Sequence, residues 1–138
     1  MKIIPHSTRI NVYLTFKGNC KEAMCFYQQC LGGELTLQAV KNSPMADQWP
    51  AEVQENILHA SLLKKDLVLL GSDMGSTQGL IQGNTISLAL ECSSKEEIDS
   101  FFYKLAEGGK ITHPLHTFFD GTIGALTDRY GINWVLKL

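Results

Sequence analysis

An internal repeat constrains the fold of this chain more than any other feature of its sequence. Each half contains an alternating strand, then a helix that ends at a pair of glycines, then three more strands. The glycine pairs Gly32-Gly33 and Gly108-Gly109 are 76 residues apart, and the helix motifs Lys21-Glu22 and Lys95-Glu96 are 74 apart. One module of roughly 65 residues would bury little surface by itself. We therefore predict an α+β domain of two paired β-α-β-β-β modules with cupped, mixed sheets.

The two modules are predicted at 9–73 and 85–138, within a single domain that spans 1–138. Residues 74–84 join them and contain three glycines without an apolar period. This segment resembles a phosphate-binding loop only superficially, because no Gly-Lys-Ser/Thr sequence follows it and no helix begins behind it. A linker between modules is the better interpretation.

The first module begins with a strand at 9–16 and a helix that runs to about Leu31. The strand alternates, so that Leu14 and Phe16 share one face while Tyr13 and Thr15 share the other. The helix has an inward stripe of small and aromatic residues: Ala23, Phe26, Tyr27, Cys30 and Leu31. Its start is predicted as a capping box of Asn19 and Glu22.

A strand at 34–40 and a hairpin at 57–73, which turns at Lys64-Lys65-Asp66, complete the first module. Between them, 41–56 holds two prolines, a tryptophan and many polar residues, and we predict a long loop. Loops of this size are often lids over sites. A plain surface excursion pinned by Trp49 is an equal alternative.

The second module repeats the plan, beginning with a strand at 85–91. Ser93 and Ser94 are each followed by Glu three residues later, which predicts two overlapping capping boxes. The helix carries an apolar stripe: Ile98, Phe101, Phe102 and Leu105. A strand at 110–115 precedes a hairpin whose turn, Asp128-Arg129-Tyr130-Gly131, has the Asp and Gly positions of a type I turn.

The composition excludes several classes of protein. The formal net charge of −2 gives no electrostatic argument for binding nucleic acid or an anionic membrane. No apolar run approaches the roughly 20 residues of a membrane-spanning helix, and 1–8 lacks the apolar core of a secretory signal. We expect a cytoplasmic protein with four free thiols: Cys20, Cys25, Cys30 and Cys92.

A set of short motifs, weak singly and specific together, follows in order along nearly the whole chain. They are Tyr13-Leu14, Phe16, Gly18-Asn19, Glu22-Ala23, Phe26-Tyr27, Leu31-Gly32-Gly33, His59-Ala60, Ser72-Asp73, Asp120-Gly121, Gly124, Asp128-Arg129-Tyr130-Gly131 and Trp134. With the doubled module, they resemble the PhnB-like branch of the vicinal oxygen chelate superfamily. That superfamily includes glyoxalase I, bleomycin-resistance proteins and extradiol dioxygenases.

The resemblance implies four positions for ligands of a divalent metal, which usually carry His or Glu on the first and fourth strands of each module. Here the first-strand positions correspond to Asn11 and Thr85, and the fourth-strand positions correspond to Leu70 and Val135. Leu and Val have no electron pair to donate, whereas a catalytic metal needs about three protein ligands. We therefore expect no cofactor, unless the metal ligands have moved to other positions.

Of the four histidines, His59 is the best candidate for a proton carrier, because its strand face could line a cavity. A hydrogen-bonded histidine buried in the sheet is the alternative interpretation. His113 and His116 flank Pro114 at a strand end, where we expect a surface role, and His6 lies in the terminal segment.

Two other reaction types find no support in the sequence. Nucleophilic catalysis lacks a Gly-x-Ser-x-Gly motif and a cysteine beside a plausible base. PhnB-like chains sometimes carry a methyltransferase label, but no glycine-rich fingerprint follows a strand here and no parallel α/β order is present. We reject that label on these grounds.

Two functions remain. The first is a metal-free binding module that holds a small, partly apolar molecule in a cavity lined by these residues: Asn11, Tyr13, His59, Leu70, Ser72, Thr85, Ser87, Phe118 and Val135. The second is a lyase, isomerase or dioxygenase that uses relocated metal ligands or His59. We also expect a homodimer, because members of this superfamily commonly pair or swap modules to cover open sheet edges.

Overall fold

The computed structural model describes residues 7–75 and 79–138. The chain divides into two compact units, Met1–Leu80 and Ile81–Leu138, each with its own sheet and helix. The predicted linker, 74–84, contains this division, but its residues 76–78 lie outside the described residues, as does His6.

The first unit is a four-stranded mixed sheet with one helix. Its elements are β1 (Val12–Thr15), α1 (Cys20–Leu31), β2 (Glu34–Ala39), β3 (Ile57–Lys64) and β4 (Leu67–Ser72). The strand order is β1-β4-β3-β2, with β1 parallel to β4 and the other pairs antiparallel. The expected β-α-β-β-β plan is therefore present in this unit.

The second unit repeats the same topology. Its elements are β5 (Leu88–Glu91), α2 (Lys95–Ala106), β6 (Lys110–Phe118), β7 (Gly121–Thr127) and β8 (Asn133–Lys137). The strand order is β5-β8-β7-β6, with β5 parallel to β8 and the other pairs antiparallel. The predicted α+β class with two mixed sheets is confirmed.

Each helix covers one face of its own sheet. The predicted stripe of α1 is buried, with Cys20 and Met24 added to it, and α1 packs against β2, β3 and β4. In α2, Ile98, Phe102 and Leu105 are fully buried against β7 and β8, while Phe101 is only half-buried. The other face of each sheet, which we call the open face, has no helix of its own unit on it.

The start of α1 is capped differently from the prediction. Asn19 makes no side-chain cap, so the predicted capping box is wrong. Instead the carboxylate of Asp73 accepts hydrogen bonds from the backbone N–H of Gly18 and Cys20, at 2.9 and 3.0 Å, and of Ile57, at 2.8 Å. A carboxylate that follows β4 therefore joins the helix start to the start of β3, a contact that local sequence does not reveal.

The start of α2 follows the prediction in one of its two forms. Ser94 is the N-cap, and its Oγ accepts a hydrogen bond from the Glu97 N–H at 3.1 Å. The Glu97 carboxylate in turn accepts from the N–H of Ser93 at 2.9 Å. The capping box therefore uses Ser94 and Glu97.

Two predicted strands are longer in the sequence pattern than in the structure. Strand 9–16 is reduced to β1, and Ile10 is completely exposed. Strand 85–91 is reduced to β5, whose pairing with β8 begins at Leu88 opposite Trp134. Strand 110–115, by contrast, was predicted too short, since β6 continues to Phe118.

The predicted long loop at 41–56 contains three short 3₁₀ helices, at Val40–Asn42, Ala46–Gln48 and Ala51–Val53. The Gln54 amide ties the loop together by donating to the carbonyl oxygens of Ala46 and Trp49, both at 2.9 Å. Whether the loop acts as a lid stays a prediction. Within the described part of the chain, no helix is long and apolar enough to cross a membrane.

The predicted turn of the last hairpin is present and is organised by the carboxylate of Asp128. The N–H of Gly131 donates to the Asp128 carbonyl at 3.0 Å, and Gly131 has a φ of 84°, which suits glycine. The buried carboxylate accepts from the N–H groups of Tyr130 and Ile132, at 2.8 and 3.1 Å, and from Nε1 of Trp134 at 2.9 Å. It therefore stabilises both the turn and the core.

The cysteine thiols of the structure are free, as predicted. Burial, and secondly the nearby charge of Asp73, raises the pKa of the Cys20 thiol to about 12. Burial and Glu97 together raise the pKa of the Cys92 thiol to about 11. A thiol with a raised pKa is a poor nucleophile at neutral pH, because little thiolate forms.

We predict that replacing Asp128 destabilises the second unit. Asp128→Ala should lower the free energy of unfolding by about 2–4 kcal/mol, because the buried Trp134 N–H loses its charged acceptor. Asp66→Ala, in the exposed β3–β4 turn, is the matched control and should change it by less than about 1 kcal/mol. Urea unfolding followed by tryptophan fluorescence measures both, and equal effects would contradict the assigned role.

We also predict that Cys20 causes a loss of stability at alkaline pH. Its folded-state pKa of about 12 lies above the ordinary value of 9.0 that the unfolded chain has. The stabilisation is complete below pH 9.0 and is lost as the pH rises toward about 12, since the unfolded thiol ionises first. The difference in unfolding free energy between the protein and Cys20→Ala should therefore shrink across this window. A Cys20→Ala difference that is independent of pH would refute the prediction.

Candidate functional site

A cavity of about 590 Å³ lies on the open face of the second sheet. Its polar lining comes from Asn84, Ser87, Thr112, His113, His116, Thr127 and Asn133, and its apolar lining from Phe118, Ile123, Gly124, Ala125, Leu126, Trp134 and Val135. The volume falls in the range of small-molecule sites, which are commonly apolar with a few polar groups.

Strand alternation explains which side chains face the cavity. Ala125 pairs directly with Val135, and Val135 pairs with Ala89 on the other side, so this row crosses the middle of the sheet. The intervening residues face α2. A Cβ added at Gly124, for example, would lie 2.8 Å from a ring carbon of Phe102. The centre of the open face is therefore built from small and aliphatic side chains.

Hydrogen bonds hold one rim of the cavity in place. Thr127 Oγ1 donates to Oδ1 of Asn133 at 2.8 Å, and the Asn133 amide nitrogen donates to the Gly83 carbonyl at 3.0 Å. Next to them, the Gln82 amide nitrogen donates to the Tyr130 carbonyl at 2.9 Å. The segment that leads into β5 is thus fastened to the last hairpin by side chains where strand pairing has stopped.

The opposite wall is the edge strand β6, which contains an irregularity. The pairing with β7 shifts register between Ile111 and His113 and again between His113 and His116. Residues three apart on a regular strand point to opposite faces, yet both histidines line the cavity. Pro114 lies between them, where the missing N–H is tolerated because β6 is an edge strand. The irregularity therefore brings two imidazoles to one side of the sheet.

The described residues that line the cavity include no acidic or basic side chain other than those two histidines. The fourteen described residues that line it include no Asp, Glu, Lys or Arg. His113 and His116 are exposed, so the predicted surface position is correct, but the surface they occupy is the cavity wall. A polar ligand group would meet only hydroxyl, amide and imidazole partners there.

Three of the predicted site residues lie in this cavity. Ser87, Phe118 and Val135 line it, with Phe118 at the end of β6 and Val135 in the middle of β8. Thr85 is exposed, precedes β5 and is outside the lining. The sequence prediction placed it in the strand, so its position is shifted relative to that expectation.

The other predicted site residues lie on the first unit. Tyr13 pairs directly with Leu70 on the open face of the first sheet, and the ring centroids of Tyr13 and His59 are 6.4 Å apart. Ser72 is buried, and its hydroxyl donates to the Leu58 carbonyl at 2.8 Å. Asn11 is half-buried and precedes β1. Ser72 is therefore engaged in backbone contacts, while Tyr13 and His59 form a small aromatic pair.

The strand register shows which positions of the two units are equivalent. Tyr13 opposite Leu70 corresponds to Ala89 opposite Val135, so Asn11 corresponds to Ser87 rather than to Thr85. This correction replaces the hydroxyl of Thr85 by that of Ser87, so the four implied metal positions still offer one amide, one hydroxyl and two aliphatic side chains. Within the described residues, no group of three or more His, Cys, Asp or Glu side chains could hold a metal ion. The residues present do not fit the divalent metal that the resemblance implies.

Four of the residues that line the cavity were not predicted as site residues. Thr127 and Asn133 had no distinguishing motif, and their contact joins two strands across a turn. His113 and His116 were expected at a surface, because they flank Pro114 at a strand end. The signal that could have placed them together was Pro114, which marks a break in regular pairing.

Comparisons with known proteins place this geometry in context. A family model described as 3-demethylubiquinone-9 3-methyltransferase matches residues 8–137. Among curated proteins, YjdN from Escherichia coli strain K12 is 28% identical over 146 residues, covering 94% of this chain and 94% of YjdN. The match therefore spans nearly the full length of both chains.

Solved structures extend the comparison to the fold. Protein PA1353 from Pseudomonas aeruginosa has a TM-score of 0.82 and 36% identity, covering 94% of this chain and 96% of its own. The PhnB protein from Bacillus cereus, which shares the methyltransferase description, has a TM-score of 0.72 and 26% identity, covering 95% and 99%.

A more distant structure identifies the wider fold. A glyoxylase/bleomycin resistance protein/dioxygenase domain from Frankia sp. EAN1pec has a TM-score of 0.62 at 19% identity, covering 97% and 93%. This similarity shows a shared fold alone. It confirms the fold that the doubled module predicted.

Proposed function

The chain belongs to the 3-demethylubiquinone-9 3-methyltransferase family, the PhnB-like branch of the glyoxalase/bleomycin-resistance fold, and from that premise we propose that it binds a small, partly apolar molecule without a catalytic metal. The ligand occupies the cavity on the open face of the second sheet. The observation that carries this proposal is the lining, in which a small apolar centre is surrounded by neutral hydrogen-bonding groups.

The residues at the implied metal positions support binding without a metal. Leu70 and Val135 have no donor atoms, and their direct strand partners, Tyr13 and Ala89, supply neither imidazole nor carboxylate. A divalent cation at this face would lose its hydration without gaining anionic ligands, and an uncompensated buried charge is strongly unfavourable. An uncharged, hydrogen-bonding ligand has no such cost.

The methyl transfer that the family name describes is not the activity we propose. Cofactor sites of the doubly wound type need a parallel sheet and a glycine-rich loop at a helix N-terminus. Both sheets of the described residues are mixed, and two consecutive strands in each, β3–β4 and β7–β8, pair antiparallel as a hairpin. The cavity lies on a sheet face rather than at the carboxyl ends of parallel strands.

A second candidate function is a histidine-assisted lyase, isomerase or dioxygenase. The observation that favours it is the position of His59, half-buried on the open face of the first sheet with its ring near that of Tyr13. His59 could move a proton if a substrate lay on that face. The metal experiment below separates this class from the binding module where the chemistry needs a metal.

We predict that divalent metals leave the protein unchanged. Adding Ni²⁺, Zn²⁺, Mn²⁺ or Fe²⁺ should shift the melting temperature by less than about 1 °C, because a ligand that binds only the native state raises it. Protein purified without chelator should contain well under one metal per chain by elemental analysis. Stoichiometric metal that is lost in His59→Ala would instead support the enzyme with relocated ligands.

We predict that filling the cavity abolishes ligand binding. Ala125→Phe places a ring in the middle of the open face, so compounds that stabilise the protein in a thermal-shift screen should lose at least about tenfold in affinity. Ala51→Phe, in an exposed 3₁₀ helix of the first unit, is the matched control and should bind normally.

Isothermal titration with the compounds found in the screen measures both variants. Circular dichroism first establishes that each variant is folded. Unchanged affinity in a folded Ala125→Phe protein would show that the ligand binds elsewhere, and a screen without any stabilising compound would count against the proposal itself.

A further inference from the structure

The orientation of His116 is fixed by a contact within its own strand. Nδ1 of the His116 ring lies 2.8 Å from the carbonyl oxygen of Pro114. A carbonyl oxygen can only accept a hydrogen bond, so Nδ1 carries the proton and donates. In the neutral imidazole, Nε2 is then the atom with the free lone pair. The tautomer of this histidine is therefore set by the backbone of the β6 irregularity.

A second contact fixes the plane of the ring. Phe118 lies edge-on to His116, with the ring centroids 6.4 Å apart and the planes at 81°. Both residues line the cavity. The imidazole is thus held between a backbone acceptor and an aromatic neighbour, an arrangement that limits its rotation and keeps a single nitrogen available.

The surroundings decide which kind of group Nε2 would meet. β7, the strand that packs against β6, carries no titratable side chain, and Asp120 lies beyond it in the exposed turn. Lys137, opposite Ile123, lies 3.7 Å from the carboxylate of Glu91 across the sheet. None of these three charged residues is among the lining residues. Among the described residues that line the cavity, Nε2 therefore has no Asp, Glu, Lys or Arg partner, and its lone pair is available to a ligand.

The apolar residues of the lining indicate the chemical character of the remainder of the ligand. Next to His116 lie Ile123, its direct strand partner, and the central pair Ala125 and Val135. Such a surface takes the apolar or aromatic body of a molecule whose polar end reaches the histidine. With Nδ1 donating to the Pro114 carbonyl, the lone pair on Nε2 accepts from a donor, and a hydroxyl is the simplest donor on an otherwise apolar molecule.

We propose that the cavity recognises a hydroxyl group on an apolar or aromatic molecule, with Nε2 of His116 as the hydrogen-bond acceptor. This inference rests on the proposed binding function and names the ligand class and the residue that selects it. His113, the second imidazole of the same wall, adds a polar contact at the rim. A phenol hydroxyl is a better hydrogen-bond donor than an alcohol hydroxyl, and it attaches directly to an aromatic body.

The test uses a matched pair of probes with the full-length protein. 4-Methylphenol carries a hydroxyl that keeps its proton at neutral pH, and 4-methylanisole replaces that proton by a methyl group while keeping the aromatic body. Isothermal titration should give at least about tenfold tighter binding for 4-methylphenol. His116→Phe, which keeps a ring but has no acceptor, should remove that preference and leave 4-methylanisole within about twofold.

Two variants and one further measurement make the result decisive. His116→Gln, whose amide oxygen can accept, should restore part of the preference, and Thr117→Ala, next to it on β6 but outside the lining, should keep all of it. In the unchanged protein, the ¹⁵N resonance of His116 Nε2 should shift when 4-methylphenol is added. This measurement tests the contact even where a variant fails to fold.

Each alternative result has a defined meaning. Equal binding of the two probes, or a preference that survives in His116→Phe, overturns the inference while the cavity remains a binding site. Tighter binding of 4-methylbenzoate than of 4-methylphenol overturns it too, because the histidine would then act as a donor. Binding of neither probe, while other compounds from the screen bind, excludes the hydroxyl class and leaves the proposed function standing.

Discussion

Parallel pairing of the first strand with the last is the constraint on which both units depend. β1 pairs in parallel with β4, and β5 pairs in parallel with β8, so the chain must cross over and return between them. The helix that makes this crossover covers one face of the sheet, because a parallel connection cannot be a tight hairpin. The other face is left to the alternating side chains of the strands. The open face is therefore a consequence of topology, and its chemistry is set by whichever residues alternate away from the helix.

Two buried or half-buried carboxylates fasten this topology at the points where strand pairing ends. Asp73 follows β4 and accepts three backbone N–H groups from the starts of α1 and β3. Asp128 precedes β8 and accepts two backbone N–H groups and the Trp134 indole. Charge-assisted hydrogen bonds of this kind are stronger than neutral ones and satisfy donors that would otherwise be buried without a partner. These two acidic residues are therefore used for structure, and neither is among the residues that line the cavity.

The sequence predicted the elements well and their ends poorly, for a physical reason. The spacing of apolar residues located α1, α2 and the sequence of strands, because each of these segments buries one face and therefore carries its own apolar period. The limits of β1, β5 and β6 depended on the partner strand, which no local pattern specifies. The Asn19 cap was wrong because a residue 54 positions away, Asp73, took its place. Ser87, Phe118 and Val135, three of the predicted site residues, line the cavity, whereas His113 and His116 join them only through the register shifts of β6. That any of these residues binds a ligand stays a prediction. Ligand binding, the homodimer and the lid at 41–56 stay predictions.

The absence of metal ligands at the implied positions and the presence of the β6 histidines have related consequences. In a metal site, the strongest ligand contact would lie where the first and last strands of each sheet meet. In this chain that place is occupied by aliphatic side chains such as Val135 and Ala89, while the polar groups lie at the two rims, on β6 and beside the last hairpin. Under the proposed binding function, a ligand would be oriented from its ends rather than from its centre. Selectivity would then come from the polar groups at the rims, because a molecule that leaves a buried polar group unsatisfied loses more affinity than a molecule that makes one contact fewer. The apolar centre would accept molecules of many shapes, and the rim groups would discriminate between them.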